Sequence, residues 1–150
     1  MRTTLILAAG KGTRMGEQTL PKCLLPYRGN AILGNVIDML YRHNEEQTFV
    51  IAIPEGDEHI MNFTASAYPG YTFTFVKVPE SVTPLGPIGT TQYCLNQFTE
   101  LPKNLTVTVA DCIFSPVFAT ENIALSSVLF VAPQPDPENF LNATFKNGRH

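Results

Sequence analysis

Two cations stand close to a glycine-containing segment near the start of the chain, and together they suit the chemistry of phosphate groups. Residues 5–16 read LILAAGKGTRMG, and a Pro-Lys pair follows a few residues later. Gly10 and Gly12 would let the main chain adopt positive φ and approach a ligand closely, because neither carries a Cβ. Arg14 offers a planar fork that matches phosphate oxygens, and Lys22 offers a mobile point charge. The pattern therefore predicts a loop that binds more than one phosphate.

Two common glycine-rich nucleotide loops do not fit this spacing. The dinucleotide fingerprint G-x-G-x-x-G needs its third glycine one position earlier than Gly16, and no acid stands where a ribose would be recognised. A Walker loop ends in Gly-Lys-Ser/Thr, which the segment lacks. An ordinary strand-to-helix turn with surface charges would account poorly for two glycines, Arg14 and Pro21-Lys22 occurring together.

The same residues resemble the opening motif of the nucleotidyltransferases that join a nucleoside triphosphate to a sugar phosphate or a similar phosphorylated alcohol. Members of that family open on L-A-A-G-x-G-T-R-M, continue with P-K, and begin their first helix with G-x-P-x-L. Here residues 29–33 fill the last motif, with Ala31 where proline is usual. That departure is mild, since proline at a helix start only presets φ.

The resemblance implies a role for individual residues of this loop. Arg14 and the amides of Gly12 and Thr13 would hold the β- and γ-phosphates, and Lys22 would neutralise the α-phosphate, so we take Arg14 and Lys22 as the catalytic pair. The residues expected to bind the nucleotide lie in this loop or in a second glycine-containing segment: Leu7, Ala8, Ala9, Gly10, Lys11, Gly12, Thr13, Gly89 and Thr90.

A carboxylate follows an apolar strand pattern later in the chain. Residues 107–110 read VTVA and lead directly into Asp111. Ligands of open parallel sheets bind at the carboxyl ends of the strands, and Asp111 resembles the aspartate that binds Mg²⁺ in the same family. Taken alone, an acid after a strand is more often a turn or cap residue. The Asp-x-Asp motif of related glycosyltransferases is absent, because Ile113 stands where the second aspartate would be.

The second glycine-containing segment, residues 85–91, precedes a helical pattern. It resembles the family's G-T segment, whose backbone helps to hold the base or ribose. Gly89 would permit a close approach, and Thr90 would cap the helix or hydrogen-bond a ligand. A purely structural loop that ends in a helix cap fits these residues equally well.

Strand and helix patterns alternate along the chain and predict a sheet built from βαβ units. The predicted fold class is α/β, Rossmann-like, with a mostly parallel sheet flanked by helices, and the resemblance implies the nucleotide-diphospho-sugar transferase type. Strands are predicted at residues 3–9, 49–53, 71–78, 105–110 and 126–132, with a hairpin arm at 140–145. Helices are predicted over 32–40, over 57–67, and around a core-facing stripe formed by Ile88, Thr91, Leu95 and Phe98.

Composition sets broader limits on function. A chain of 150 residues that is 44% apolar suits a single domain over residues 1–150. The net charge is −3, yet residues 1–28 hold five of the ten Lys and Arg residues and only one acid. This concentration favours a small anionic substrate over nucleic acid, which needs an extended basic face. The resemblance implies the particular partners, a nucleoside triphosphate and a phosphorylated small-molecule acceptor, with Mg²⁺ as cofactor.

The three cysteines are odd in number and lack metal-binding spacing, which predicts reduced thiols in a cytoplasmic protein. Cys23 beside Lys22 could be a thiol of low pKa, but its apolar neighbours favour a buried one. No segment is long enough to cross a membrane, so we expect no membrane partner.

The last residues suggest an unfinished fold. Asn147-Gly148 would turn a hairpin whose second arm is missing by His150. The resemblance therefore implies the nucleotide-binding portion of a longer domain, with slow turnover and with self-association through residues 139–150. A non-catalytic nucleotide or nucleotide-sugar binding module, or a plain scaffold, is the alternative reading.

We predict that Arg14→Ala weakens triphosphate binding by about 1.5–3 kcal/mol, the range for hydrogen bonds to charged groups, and leaves folding nearly intact. Calorimetric titration with the best-bound nucleotide measures the effect. An unchanged affinity would remove Arg14 from the site.

Overall fold

The computed structural model describes residues 2–10, 20–41 and 46–113 of the chain. These residues contain a four-stranded parallel sheet. In spatial order its strands are β5 (Phe73–Val78), β4 (Gln47–Pro54), β1 (Arg2–Leu7) and β6 (Leu105–Val109), so β4 and β1 are central. The helices are α1 (Ile32–Leu40), α2 (His59–Ala67) and α3 (Gly86–Leu95). The strand predicted at 126–132 and the hairpin arm at 140–145 lie outside the described residues.

Alternation along the central strands creates one apolar core on each face of the sheet. Ile6 and Ile51 point to a core that contains Ile37 of α1 and Ile60 of α2. Their neighbours Leu5 and Val50 point the other way and belong to a core that contains Cys94 of α3. Helices therefore cover both faces, which explains the unbroken apolar runs at residues 5–7 of β1 and 49–53 of β4.

The register of the sheet brings distant loops to one edge. Leu7, the last residue of β1, pairs with Ala52 of β4 on one side and with Val109 of β6 on the other. The Ala8 N–H donates to the Ala52 carbonyl oxygen at 2.8 Å, and the Ala110 N–H donates to the Leu7 carbonyl oxygen at 3.0 Å. The segments that follow β1 and β6 therefore leave the sheet side by side.

The core-facing stripe predicted for the third helix is wrong at Ile88. Thr90 and Cys94, one helical turn apart, are the buried residues of α3, whereas the Ile88 side chain is 64% exposed. Thr91 and Leu95 are half-buried. Phe98 lies beyond the helix end and packs against the core that contains Cys94, as predicted.

Several predicted boundaries also shift. The strand predicted over residues 3–9 ends at Leu7. The helix predicted from residue 57 begins at His59, whose N–H donates to Asp57 Oδ1 at 2.8 Å, so Asp57 stands before the helix. The strand predicted from residue 71 begins at Phe73.

A small hairpin precedes α1, where the sequence predicted only a helix start. Strands β2 (Pro26–Tyr27) and β3 (Asn30–Ala31) pair in antiparallel fashion. Arg28 and Gly29 connect them with φ values of 52° and 82°, which is the backbone of a type I′ turn. Ala31 has a φ of −67°, a value that proline would also adopt. Its N–H donates to Asn30 Oδ1 at 2.7 Å, a bond that proline could not make.

Polar contacts connect this hairpin to both helices on its side of the sheet. Asn30 Nδ2 donates to Asp38 Oδ2 and to the Tyr68 hydroxyl, each at 3.1 Å. The Tyr68 hydroxyl lies 3.0 Å from both the Gly34 carbonyl oxygen and Asp38 Oδ1, and its single proton serves one of them. A Cβ at Gly34 would overlap the Asn30 side chain, so this glycine makes room for the network.

No helix within residues 2–10, 20–41 and 46–113 has the length and apolar character needed to span a membrane.

We predict that Tyr68→Phe lowers the free energy of unfolding by about 1–2 kcal/mol, because it removes hydrogen bonds at a buried site. Burial also raises the pKa of Tyr68 to about 12 from 10.0. The stability linked to this shift is present below pH 10 and is lost as pH rises towards 12. Urea unfolding at several pH values measures both effects.

Tyr71→Phe is the matched control, since the Tyr71 ring packs edge-on against Tyr68 but its hydroxyl takes no part in the network. It should change stability by no more than about 0.5 kcal/mol. Equal losses in the two variants would contradict the role given to the Tyr68 hydroxyl.

Candidate active site

A cleft of about 230 Å³ opens at the carboxyl ends of β1 and β6. The sheet register positions it, because the segments after these two strands start side by side at one edge. Its walls come from four parts of the chain, and the residues that line it are Leu7, Ala8, Ala9, Gly10, Pro21, Lys22, Cys23, Thr83, Gly86, Pro87, Thr90, Val109, Ala110 and Asp111. Most residues predicted to bind the nucleotide and described by the structure are in this set.

An ion pair crosses the cleft between the predicted catalytic lysine and the predicted metal ligand. Lys22 Nζ donates to Asp111 Oδ2 at 2.8 Å, although 89 positions separate the two residues in sequence. Lys22 begins a short 3-10 helix that ends at Leu24, and Asp111 lies two residues beyond β6. Their side chains are 45% and 38% exposed, so both charges remain accessible to a ligand.

The Asp111 carboxylate suits a hard divalent cation. It already holds a cationic group, the Lys22 ammonium, at direct contact distance. No group of three or more His, Cys, Asp or Glu side chains suited to a metal occurs within the described residues. Mg²⁺ is often bound by one or two carboxylates together with substrate phosphates and water. The donor set therefore fits a metal that arrives with a phosphate ligand better than a permanent metal site.

The first glycine segment lies along one wall of the cleft. Ala8 and Ala9 are buried, and Gly10 is exposed. The positive φ predicted for Gly10 is wrong, because its backbone lies outside the left-handed region. A Cβ at Gly10 would meet nothing within 4 Å, so open space explains the glycine better than backbone strain does. Lys11, Gly12, Thr13 and Arg14 lie outside the described residues.

The second glycine segment contributes a different glycine from the one predicted. Gly86 lines the cleft with a φ of +69°, a conformation that favours glycine. Gly89 does not line the cleft, and a Cβ there would overlap the Leu85 side chain. Thr90 does line it, but as the fifth residue of α3, so its predicted role as a helix cap is wrong.

One residue that the sequence did not single out also lines the cleft. Thr83 lies there beside Gly86 and Pro87, which belong to the predicted second glycine-containing segment. Within that segment, glycine followed by proline is typical of a helix that begins there. That signal predicts the start of α3 but not its position against β1 and β6.

The thiols near the site are weak acids. Burial raises the pKa of Cys23 to about 12 and that of Cys94 to about 11. Cys112 is exposed, and its pKa is also raised, chiefly by partial desolvation and then by Asp111. The low pKa considered for Cys23 is therefore wrong, and the apolar packing suggested by its neighbours is confirmed.

Comparison with known proteins identifies a family that matches this chain. A model described as the MobA-like NTP transferase domain matches residues 4–137. The 2-C-methyl-D-erythritol 4-phosphate cytidylyltransferase of Bacteroides fragilis is 40% identical over 53 residues, which are 35% of this chain and 24% of that protein. The bifunctional protein GlmU of Psychrobacter cryohalolentis is 30% identical over 102 residues, which are 68% of this chain and 20% of that protein.

A protein of known structure also has a similar fold. The inositol-1-phosphate CTP transferase from T. maritima superposes with a TM-score of 0.60 at 20% identity, over 77% of this chain and 46% of that one. This likeness confirms the predicted fold class, a mostly parallel sheet flanked by helices as in nucleotide-diphospho-sugar transferases.

The chain belongs to the family of MobA-like NTP transferase domains, since the family model covers most of its length. This confirms the resemblance to nucleotidyltransferases that the opening motif carried. The chain spans about a fifth to a quarter of the two curated relatives, at 20% and 24%.

We predict that Gly10→Ala leaves the free energy of unfolding within about 0.5 kcal/mol of the parent, because the new methyl group enters open space on an unstrained backbone. The same methyl group should weaken nucleotide binding by roughly tenfold or more, since a ligand would approach the main chain there. Thermal unfolding and calorimetric titration measure the two effects.

Gly70→Ala is the control for this prediction. Gly70 also has open space at its Cβ position, lacks a positive φ, and does not line the cleft. Both affinity and stability should stay close to those of the parent. Unaltered binding by Gly10→Ala would show that the ligand does not contact this part of the main chain.

Proposed function

We propose that the chain transfers a nucleotidyl group from a nucleoside triphosphate to a sugar phosphate or a similar phosphorylated alcohol and releases pyrophosphate. The observation that carries the proposal is the contact between Lys22 and Asp111 across a cleft lined by the main chain of residues 7–10. A cation and an anion at the carboxyl edge of a parallel sheet suit a ligand that brings both phosphate and a metal ion.

The relatives support the same reaction class. One is by name a cytidylyltransferase that acts on a phosphorylated alcohol. The solved protein with the same fold is a CTP transferase for inositol 1-phosphate. Membership of the family supports a triphosphate as donor, and these two names support a small phosphorylated acceptor.

The reaction needs no nucleophile from the protein. A phosphate oxygen of the acceptor attacks the α-phosphorus of the triphosphate, a new phosphorus–oxygen bond forms, and the bond to the leaving pyrophosphate breaks. The protein acts by positioning the two substrates and by offsetting negative charge. The raised pKa values of Cys23 and Cys112 agree with this scheme, because neither thiol is activated as a nucleophile.

Each residue of the site has a defined task in this scheme. Lys22 offsets charge on the α-phosphate as it is attacked, and Arg14 with the amides of Gly12 and Thr13 holds the β- and γ-phosphates. Asp111 would hold Mg²⁺, which supplies charge neutralisation for the phosphate oxygens when it is bound. Leu7 to Gly10 and the segment around Gly86 and Thr90 would hold the nucleoside.

We predict acceptor-dependent release of pyrophosphate when the chain is given a nucleoside triphosphate, Mg²⁺ and a phosphorylated acceptor. A panel of four triphosphates and several sugar and polyol phosphates, assayed with coupled phosphate detection, identifies the substrates. Lys22→Met should lower the rate by roughly 10²–10³-fold, as the loss of one transition-state contact does elsewhere.

Lys103→Met is the matched control, because it removes the same charge next to the amino end of β6, opposite the site. Its rate should equal that of the parent. Nucleotide binding without pyrophosphate release from any pair of substrates would favour a non-catalytic binding module.

A further inference from the structure

The contact between Lys22 and Asp111 has a consequence for what the site can bind. Lys22 Nζ occupies Asp111 Oδ2 at 2.8 Å, the distance of a charge-assisted hydrogen bond. A divalent cation at the lone pair of Oδ2 that the ammonium fills would have to displace it. A cation elsewhere on the carboxylate would lie beside the ammonium and be repelled by it. Metal binding at Asp111 is therefore opposed by Lys22 and favoured when the ammonium leaves.

The same contact restrains Lys22. A lysine that donates to a carboxylate is partly neutralised and is not free to follow a phosphate group. Phosphate binding through Lys22 therefore leaves the Asp111 carboxylate without its cation. The ion pair therefore keeps Lys22 from phosphate and Asp111 from a metal ion, which are the ligands that the proposed function assigns to these two residues.

We propose that Lys22 and Asp111 exchange partners when the substrate enters, so that the site takes a metal–triphosphate complex as one unit and takes either component alone more weakly. This inference rests on the proposed function for the assignment of the two residues. On exchange, the ammonium moves to phosphate oxygens and the carboxylate moves to the metal. The complex satisfies both charges at once, whereas a bare metal ion or a metal-free triphosphate leaves one of them unpaired.

Because both side chains are partly exposed, breaking the ion pair costs little free energy. The two side chains are 45% and 38% exposed, so water screens their attraction. An ion pair of this kind changes a binding constant by roughly 1.5- to 5-fold. The pair is therefore strong enough to discriminate against each component alone and weak enough to open for the complex.

The neighbourhood of Asp111 supports the same conclusion. Within the described residues, no cluster of three potential metal ligands provides a site for a bare ion. A cation at Asp111 would need further oxygen ligands, and a triphosphate can supply them. The complex brings with it the ligands that this part of the chain lacks.

The test uses Mn²⁺ alone, tripolyphosphate in the presence of a chelator, and the two together. Bound Mn²⁺ is measured by its effect on water-proton relaxation, and tripolyphosphate by calorimetry. Lys22→Met should bind Mn²⁺ alone roughly 1.5- to 5-fold more tightly than the parent, because the competing cation is gone. The same variant should bind the Mn²⁺–tripolyphosphate complex more weakly. Opposite signs in one variant are the signature of exchange.

Asp111→Asn should show the mirror image. Its freed lysine should bind metal-free tripolyphosphate roughly 1.5- to 5-fold more tightly, while the gain in affinity from added Mn²⁺ is lost. Lys103→Met and Glu100→Gln change the net charge by the same amounts away from the cleft, and they should shift neither affinity. Lys22→Gln repeats the first variant with a polar side chain in case the methionine alters folding.

Unchanged or weaker binding of Mn²⁺ alone by both Lys22 variants would overturn the exchange, and so would equal gains in the Lys103→Met control. The outcome is independent of catalysis, because every readout is a binding constant. Opposite signs in the Lys22 variants, together with no pyrophosphate release by the parent chain, would sink the transfer reaction and leave the exchange standing.

Discussion

Parallel pairing between β1 and β6 is the constraint on which the site depends. The ladder aligns Leu7 with Val109, so the glycine segment and Asp111 leave the sheet at the same edge. Nearly the whole described chain lies between the two strands, since β1 ends at Leu7 and β6 begins at Leu105. Apolar residues on both faces of β1 hold this strand at the centre of the sheet, where helices cover it from each side. The two apolar cores therefore position the site indirectly, because they fix the strands whose register aligns its segments.

The backbone next to Lys22, the other member of the ion pair, is held in place by the hairpin of β2 and β3 and by α1. The Ile32 N–H donates to the Leu25 carbonyl oxygen at 3.0 Å, and Asn35 Nδ2 donates to the Tyr27 carbonyl oxygen at 2.9 Å. These bonds fix the segment that follows Lys22 to a helix whose apolar face is part of the core. A flexible lysine thus stands on a well-anchored backbone, which suits a group that must move between two anions.

The cleft divides its tasks between charge and main chain. Lys22 and Asp111 supply opposite charges, whereas residues 7–10 and the start of α3 present backbone and small side chains. Gly86 adopts a positive φ, and Gly10 leaves open space, so the two glycines serve the cleft in different ways. Such walls suit the base and ribose of a nucleotide, which are recognised by shape and by hydrogen bonds to the main chain.

Features set by neighbouring residues were predictable from the sequence: the strand that leads into residues 8–10, the apolar strand before Asp111, and the α/β class. These depend on hydrophobic periodicity and on glycine and proline positions, which act over a few residues. The buried face of α3 and the choice of Gly86 over Gly89 depended on packing between distant segments. The Lys22–Asp111 contact belongs to the same group, because the β1–β6 register places Asp111 and the packing of α1 places Lys22, which brings residues 89 positions apart to a distance of 2.8 Å.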